Sequence, residues 1–243
     1  MFRHWLFLLR ALMRLAGAFL QSYSLLRFRG LKDLDPDIVQ ALRPEEKRRL
    51  SHYYLGSTYL GAIFGSIRGR KLSITENRRF LKLSALAAFF DDMVEVKRNQ
   101  TVLPADKALT PQTFALLNDE RGVALKLLEQ IERNCPPAEL SSFQGYMERV
   151  FTVELQGQTR AGTAFGPTEL QEITAEKGGC SVLLFRSVLE PAPTKEEERA
   201  LQEFGYMIQL SDDIFDVWFD LQNGVETLAT QCSRRLVFYF PAC

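Results

Sequence analysis

Residues 205–220 read GYMIQLSDDIFDVWFD and give the strongest indication of the fold. Asp212, Asp213 and Asp216 interrupt a mostly apolar run at positions i, i+1 and i+4. An α-helix has 3.6 residues per turn, so side chains at these positions lie close together on one face. We therefore predict a long helix that presents three carboxylates within one turn.

An earlier stretch repeats the same arrangement. Residues 86–95 read LAAFFDDMVE, in which Asp91, Asp92 and Glu95 again take positions i, i+1 and i+4. Like charges one turn apart oppose helix formation by about 0.2–0.5 kcal/mol per pair, and an unpaired buried carboxylate costs more. Each cluster thus calls for a cation. Mg²⁺ fits, because it prefers oxygen ligands and binds through carboxylates and phosphates; a solvated acidic face is the alternative.

Composition excludes several other classes of function. The 243 residues include 30 Lys and Arg and 30 Asp and Glu, so the formal charge is zero and no overall field attracts nucleic acid. The four cysteines form no CxxC pair, and His4 and His52 are the two histidines, which leaves few ligands for a zinc or di-iron site. We expect a reduced, cytoplasmic protein with no nucleic-acid partner.

The N-terminal residues 5–20 form an apolar run that Arg10 and Arg14 interrupt. A transmembrane helix needs about 20 nearly uncharged residues, and a signal peptide needs roughly 7–15 unbroken apolar residues. The two arginines, one turn apart, argue against both interpretations. We predict an amphipathic helix over 1–30 that packs on the protein or on a partner, with peripheral contact to a membrane surface as the alternative.

Helix start and stop signals recur along the rest of the chain. Capping-box patterns at 73–76, 168–171 and 194–197 predict three helix starts, and prolines in the first turn predict further starts at Pro44 and Pro111. We expect a connection over 30–37, loops over 99–110 and 161–167, and long helices over 73–98, 138–160, 168–190 and 194–223. Strand-length alternation is lacking, so we predict a single all-α domain of about eight helices over 31–230. We expect residues 231–243 to be an atypical, truncated tail rather than a capping helix.

Taken in order, these segments resemble the class I isoprenoid synthases, the superfamily of trans-prenyltransferases and terpene synthases. Residues 209–216, QLSDDIFD, are similar to the second aspartate-rich motif of trans-prenyltransferases, and residues 91–95, DDMVE, to the first. Between them, residues 156–158, QGQ, resemble the Gly-Gln helix of the family, and residues 177–181, KGGCS, resemble its Lys-Thr segment. The resemblance covers roughly residues 75–230, and it implies a single-domain antiparallel helical bundle with a central active-site cavity.

The resemblance also assigns roles to individual residues. It implies that two facing clusters coordinate Mg²⁺, as three ions when substrate is bound, through Asp91, Asp92, Glu95, Asp212, Asp213 and Asp216. Of these, Asp91, Asp92, Asp212 and Asp213 are implied to be catalytic. It implies that a prenyl diphosphate is contacted by Lys177, Gln209, Phe90, Gln158 and Arg98. Gly178 and Gly179 are implied to break their helix so that backbone approaches the ligand.

The chemistry implied is ionisation of an allylic prenyl diphosphate. Metals and cations stabilise the departing diphosphate, and the carbocation then reacts in a site that excludes water. The aromatics Phe89, Phe215 and Trp218 either wall that site or belong to the core. Residues 65–71 and 97–98 depart from the basic segments that bind the second substrate of a prenyltransferase.

Chain elongation is the leading hypothesis. Terpene cyclisation, head-to-head condensation of the squalene or phytoene type, and a non-catalytic partner subunit of the same fold are the alternatives. A homodimer is compatible with the resemblance.

Overall fold

The computed structural model describes residues 5–6, 9–10, 12–14, 16–17, 20, 30–98, 122–159 and 165–239. Side chains are described at these positions except at 30, 91–98, 155–159 and 235–239. Every regular element within these ranges is a helix, which confirms the all-α prediction.

One short 3-10 helix, Gly30–Asp33, precedes nine α-helices in the described ranges. The α-helices are α1 (Pro36–Ala41), α2 (Pro44–Ile67), α3 (Ile74–Arg98), α4 (Val123–Asn134), α5 (Pro137–Thr159), α6 (Pro167–Ser187), α7 (Lys195–Phe215), α8 (Val217–Asn223) and α9 (Leu228–Tyr239).

Two of the three predicted capping boxes mark helix starts. Ser73 Oγ accepts a hydrogen bond from the Glu76 backbone N–H at 3.2 Å, and the Glu76 carboxylate accepts one from the Ser73 N–H at 2.7 Å. Thr194 Oγ1 accepts a hydrogen bond from the Glu197 N–H at 3.2 Å. The N-cap predicted at Thr168 is wrong by two residues, because the helix already begins at Pro167 and Gly166 is the N-cap.

Other boundaries also differ from the sequence prediction. The helix predicted over 194–223 is two helices, because a turn at Asp216 separates α7 from α8. The predicted connection over 30–37 contains the 3-10 helix and the start of α1, and α6 ends at Ser187 rather than at 190. The tail predicted over 231–243 is helical as far as Tyr239, so the expectation that it lacks a helix is wrong. The predicted loop over 99–110 and the helix start at Pro111 lie outside the described residues.

The chain divides into two compact units, whereas the sequence predicts one domain over 31–230. The first unit comprises Met1–Met93 and Phe114–Pro136, and the second comprises Val94–Thr113 and Pro137–Cys243. The domain bounds proposed from the sequence, like the central cavity, stay a prediction.

The first unit has an aromatic and aliphatic core between α2 and α3. The rings of Phe64 and Phe80 meet edge to face, with centroids 5.9 Å apart and an interplanar angle of 75°. A Cβ at Gly61 would lie 3.0 Å from Leu72 Cδ2 and 3.4 Å from Phe80, so the absence of a side chain lets the two helices approach. The amphipathic helix α4 contributes a buried face that includes Leu127 and Ile131.

The second unit is built around the pair α6 and α7, with α5 against α6 and α9 against both members of the pair. Contacts join Arg186 to Glu197, Gly178 to Gly205 and Thr174 to Asp213. Residue numbers fall along α6 as they rise along α7, so these two helices run antiparallel. The buried Arg186 also donates hydrogen bonds to the carbonyl oxygens of Leu189 and Pro191, which fixes the connection between the two helices.

Near the N-terminus, all the described positions between 5 and 20 are helical, as predicted. All of them are exposed, so the expectation that this segment packs on the protein is not supported at the described positions. Within the part of the chain that the structure describes, each helix is too short or too polar to cross a bilayer.

Candidate functional site

The second acidic cluster (Asp212, Asp213 and Asp216) lies at the C-terminal end of α7, beside α6. Asp213 is buried, with 8% of its surface exposed. Gln209 Nε2, one turn earlier on α7, donates a hydrogen bond to Asp213 Oδ1 at 2.9 Å. Thr174 Oγ1 on α6 donates to Asp213 Oδ2 at 3.4 Å. Both oxygens of this carboxylate are therefore held by neutral donors from two helices.

Among the residues with described side chains, Lys177 is a basic residue that acts on this cluster. It lies on α6, one turn after Thr174, and its Nζ forms an ion pair with Glu154 Oε1 on α5 at 2.9 Å. Its positive charge favours the ionised forms of both Asp212 and Asp213. Lys177 thus links three helices through one charge, and its predicted contact with a diphosphate stays a prediction.

Two aspartates of the cluster, Asp212 and Asp213, nevertheless have raised pKa values. Desolvation raises the pKa of Asp213, and the hydrogen bonds from Gln209 and Thr174 and the charge of Lys177 only partly offset it. Partial desolvation, followed by the negative charge of Asp216, raises the pKa of Asp212. The ammonium group that favours the ionised forms of Asp212 and Asp213 is thus also paired with Glu154, and a further cation beside these carboxylates would favour their ionised forms as well.

Asp216 lies at the junction of α7 and α8. Its backbone N–H donates to the Asp212 carbonyl oxygen at 2.9 Å, so the one-turn spacing between the two residues holds although α7 ends at Phe215. The side chains of Asp212 and Asp216 are exposed, whereas that of Asp213 is turned into the contact with α6. Among the residues whose side chains are described, no group of three or more acidic, Cys or His side chains converges as a metal site would. The six-carboxylate metal site therefore stays a prediction.

The first acidic cluster belongs to α3. The helix continues through positions 91, 92 and 95 to Arg98, so the backbone keeps the spacing that the sequence predicts. The side chains of Asp91, Asp92, Glu95 and Arg98 lie outside the described part, as does that of Gln158 on α5. Their predicted roles in metal and substrate binding remain predictions, and so does the expectation that the two clusters face each other.

The aromatic residues considered as pocket walls separate into two groups. Phe89 and Phe90 are each 5% exposed, which fits the core alternative for both. Phe215 and Trp218 are 85% and 72% exposed, so neither belongs to the core of the second unit. The assignment of Phe90 to substrate binding is untested, since its burial is equally compatible with a role in packing.

The glycines beside Lys177 have a different role from the predicted one. α6 is continuous from Pro167 to Ser187, so the expected break at Gly178 and Gly179 is absent. A Cβ at Gly178 would lie 2.1 Å from the Gly205 carbonyl oxygen, and a Cβ at Gly205 would lie 2.2 Å from the Gly178 oxygen. The two backbones thus touch directly. This close contact accounts for glycine at positions 178 and 205 and holds Lys177 beside α7.

Sequence reasoning missed Glu154, Thr174 and Gly205. Thr174 carried a usable signal, because it precedes Lys177 by three residues and so shares its helix face. Gly205 carried a weaker one, a glycine within a helix, where it costs about 1 kcal/mol relative to Ala unless packing requires it. Nothing in the sequence indicates the pairing of Glu154 with Lys177, which depends on how α5 packs against α6.

Comparison with known proteins adds no assignment to this geometry. Neither a protein-family model, nor a curated protein, nor a solved structure matches the chain. The isoprenoid synthase resemblance therefore rests on the ordered motifs of the sequence, and the site rests on the contacts between α5, α6 and α7.

Proposed function

We propose that the protein is a Mg²⁺-dependent enzyme that acts on an allylic prenyl diphosphate, with prenyl chain elongation as its reaction. One observation carries most of the proposal. Asp212 and Asp213 are partly desolvated beside Asp216 at the end of α7, and Lys177, whose charge favours their ionised forms, is also paired with Glu154. Such a cluster gains most from a divalent cation, and a cation held by carboxylates recruits diphosphate oxygens as its remaining ligands.

Each described side chain has a role in this proposal. Asp212 and Asp216 are exposed and would bind metal directly, while Gln209 and Thr174 orient the buried Asp213. Lys177 would contact the diphosphate, exchanging its ion pair with Glu154 for the new anion. When bound, Mg²⁺ supplies charge that stabilises the diphosphate as it leaves. The resemblance alone assigns the carboxylates of Asp91, Asp92 and Glu95 on α3 to Mg²⁺ binding.

The lowering of the activation barrier that the reaction requires is compatible with such a site. Enzymes lower barriers by about 8–23 kcal/mol, and fixed charges in a site that excludes water supply much of this. Ionisation of an allylic diphosphate creates negative charge on the leaving group and positive charge on carbon. Mg²⁺ held by carboxylates such as Asp212 and Asp216, together with Lys177, would stabilise the first of these charges, and exclusion of water would protect the second.

The test is incubation of the purified protein with Mg²⁺ and dimethylallyl, geranyl, farnesyl or geranylgeranyl diphosphate, with and without isopentenyl diphosphate. A longer prenyl diphosphate, formed only when isopentenyl diphosphate is present, supports elongation. A hydrocarbon or alcohol formed from a single diphosphate indicates cyclisation or head-to-head condensation instead. No product from any substrate favours the non-catalytic subunit.

One substitution in each acidic cluster tests the two clusters separately. Asp92→Ala and Asp213→Ala should each abolish turnover while the helix content measured by circular dichroism stays nearly unchanged, because loss of one carboxylate also relieves repulsion. The matched control is Glu203→Gln, an exposed acid on α7 outside the cluster, which should keep wild-type turnover. Wild-type activity in both cluster variants would refute the metal-site assignment.

A further inference from the structure

The large apolar side chains near the N-terminus are exposed. Trp5, Leu6, Leu9, Leu12, Met13 and Leu20 expose between 42% and 68% of their surface. An isolated exposed apolar residue is ordinary, but six exposed apolar side chains among the described positions between 5 and 20 are the signature of an interaction surface.

On a helical wheel, the described apolar residues of this segment lie on one side, and the two described arginines form a basic edge beside them. At about 100° per residue, positions 5, 6, 9, 12, 13, 16 and 20 all fall within an arc of about 120°. Arg10 and Arg14 lie together, about 40° and 80° beyond one edge of that arc. A helix lying in a membrane interface has this arrangement, with an apolar face toward the acyl chains and arginines at the boundary with water.

The charge of the chain is unevenly distributed in the same region. Residues 1–32 contain six Arg and Lys and no Asp or Glu, a formal charge of +6. The whole chain is neutral, so residues 33–243 carry the compensating −6. The segment with the exposed apolar face is thus also the segment with the strongest excess of positive charge.

We propose that the N-terminal helix binds the surface of an anionic lipid bilayer, with the face formed by Leu9 and Leu12 in the acyl boundary. The apolar face and the positive charge of this segment together favour a lipid surface as the partner. Nucleic acid offers anionic phosphates but no apolar layer for an arc of leucines. A lipid surface supplies both, and long arginine side chains extend to its headgroups while tryptophan prefers its interface. The proposal does not depend on the proposed enzymatic function.

The experiment is cosedimentation of the full chain with vesicles of phosphatidylcholine, with and without phosphatidylglycerol. Binding should be strong only to the anionic vesicles. Leu9→Glu with Leu12→Glu should weaken it by at least about 100-fold, because each variant loses a buried leucine. Ile67→Glu with Ile74→Glu is the control, since it adds the same charges at two exposed isoleucines of the body and should change binding little.

The basic edge has its own pair of variants. Arg10→Gln with Arg14→Gln should weaken binding about 25-fold, from about fivefold per arginine near an anionic surface. Arg48→Gln with Arg199→Gln removes the same charge from exposed positions elsewhere and should leave binding within about twofold. An equal loss in both pairs would show only a dependence on net charge and would overturn the proposal.

Tryptophan fluorescence reports directly on the environment of the N-terminal helix. The chain has two tryptophans, so the Trp218→Phe variant leaves Trp5 as the only emitter. Its emission should shift to the blue on anionic vesicles and be quenched by brominated acyl chains. Three results would each overturn the proposal. The first is an emission that does not change on anionic vesicles, and the second is vesicle binding that Leu9→Glu with Leu12→Glu leaves unaffected. The third is self-association that these two substitutions abolish, in a protein that does not bind vesicles.

Discussion

Gly205→Ala tests the backbone contact that holds the candidate site together. The new Cβ would lie 2.2 Å from the Gly178 oxygen, 2.5 Å from its carbonyl carbon and 2.8 Å from Gly179 Cα. Cβ atoms in proteins essentially never approach other atoms to less than 3.0 Å. All three neighbours are backbone atoms of a continuous helix and cannot rotate away. α6 and α7 must therefore separate by about 1 Å, with loss of contacts along their shared surface.

The expected cost follows from this displacement. Overpacking costs about 1–3 kcal/mol, and the gain from replacing glycine with alanine inside a helix, about 0.5–1 kcal/mol, offsets part of it. Because the clash is with backbone, we expect a net loss of about 2 kcal/mol. At about 2–4 °C per kcal/mol for a chain of this size, Tm should fall by about 4–8 °C. Thermal and urea unfolding followed by circular dichroism measure both quantities.

Gly145→Ala is the matched control for this substitution. Gly145 lies within α5, is exposed, and has no atom within 4 Å of the site a Cβ would take. It should therefore gain about 0.5–1 kcal/mol of stability from higher helix propensity. If Gly205→Ala were as stable as Gly145→Ala, the close approach of α6 and α7 would be refuted.

Three further predictions concern charged groups, each measured by urea unfolding. Desolvation raises the pKa of Glu76, but hydrogen bonds from Arg68, Ser73 and Arg70 outweigh it and lower this pKa from 4.5 to about 2. Glu76→Gln should therefore lower the free energy of unfolding by about 3 kcal/mol at pH 7, and this difference should disappear as the pH falls from 4.5 towards 2. Arg186→Met leaves Glu197 and two carbonyl oxygens without their donor and should cost about 3–5 kcal/mol, whereas an equal loss in the exposed Arg133→Met would contradict this account. Asp216→Asn should raise the free energy of unfolding by about 0.2–0.5 kcal/mol at pH 7 without Mg²⁺, because it removes the repulsion between Asp216 and Asp212 one turn away. Asp212, whose pKa is raised, becomes protonated in acid, so this stabilisation should vanish there. A stabilisation that persisted in acid would show that repulsion is not its cause.

Local signals in the sequence predicted the helical elements well. The capping boxes at Ser73 and Thr194 mark real starts because their hydrogen bonds join residues three apart and need no tertiary contact. The same pattern at Thr168 missed the N-cap by two residues, since Pro167 begins the helix and Gly166 caps it without a side chain. Periodicity also missed the turn at Asp216, because the spacing from Asp212 continues across it.

The candidate site was predictable only where its residues share a helix. The one-turn spacing of Gln209 and Asp213 on α7 is visible in the sequence, and the two side chains are hydrogen-bonded. The ion pair of Lys177 with Glu154 and the contact of Gly178 with Gly205 join different helices. Such contacts depend on the angle and register at which helices pack, which a single sequence does not specify.

Release of inorganic diphosphate from an allylic prenyl diphosphate, measured as Mg²⁺ is titrated, tests the central claim most directly. The account predicts release that requires Mg²⁺, is lost in Asp213→Ala and persists in Glu203→Gln. Release that continues with a chelator present, or that is unchanged in Asp213→Ala, would contradict the assignment of the α7 cluster to metal and diphosphate binding.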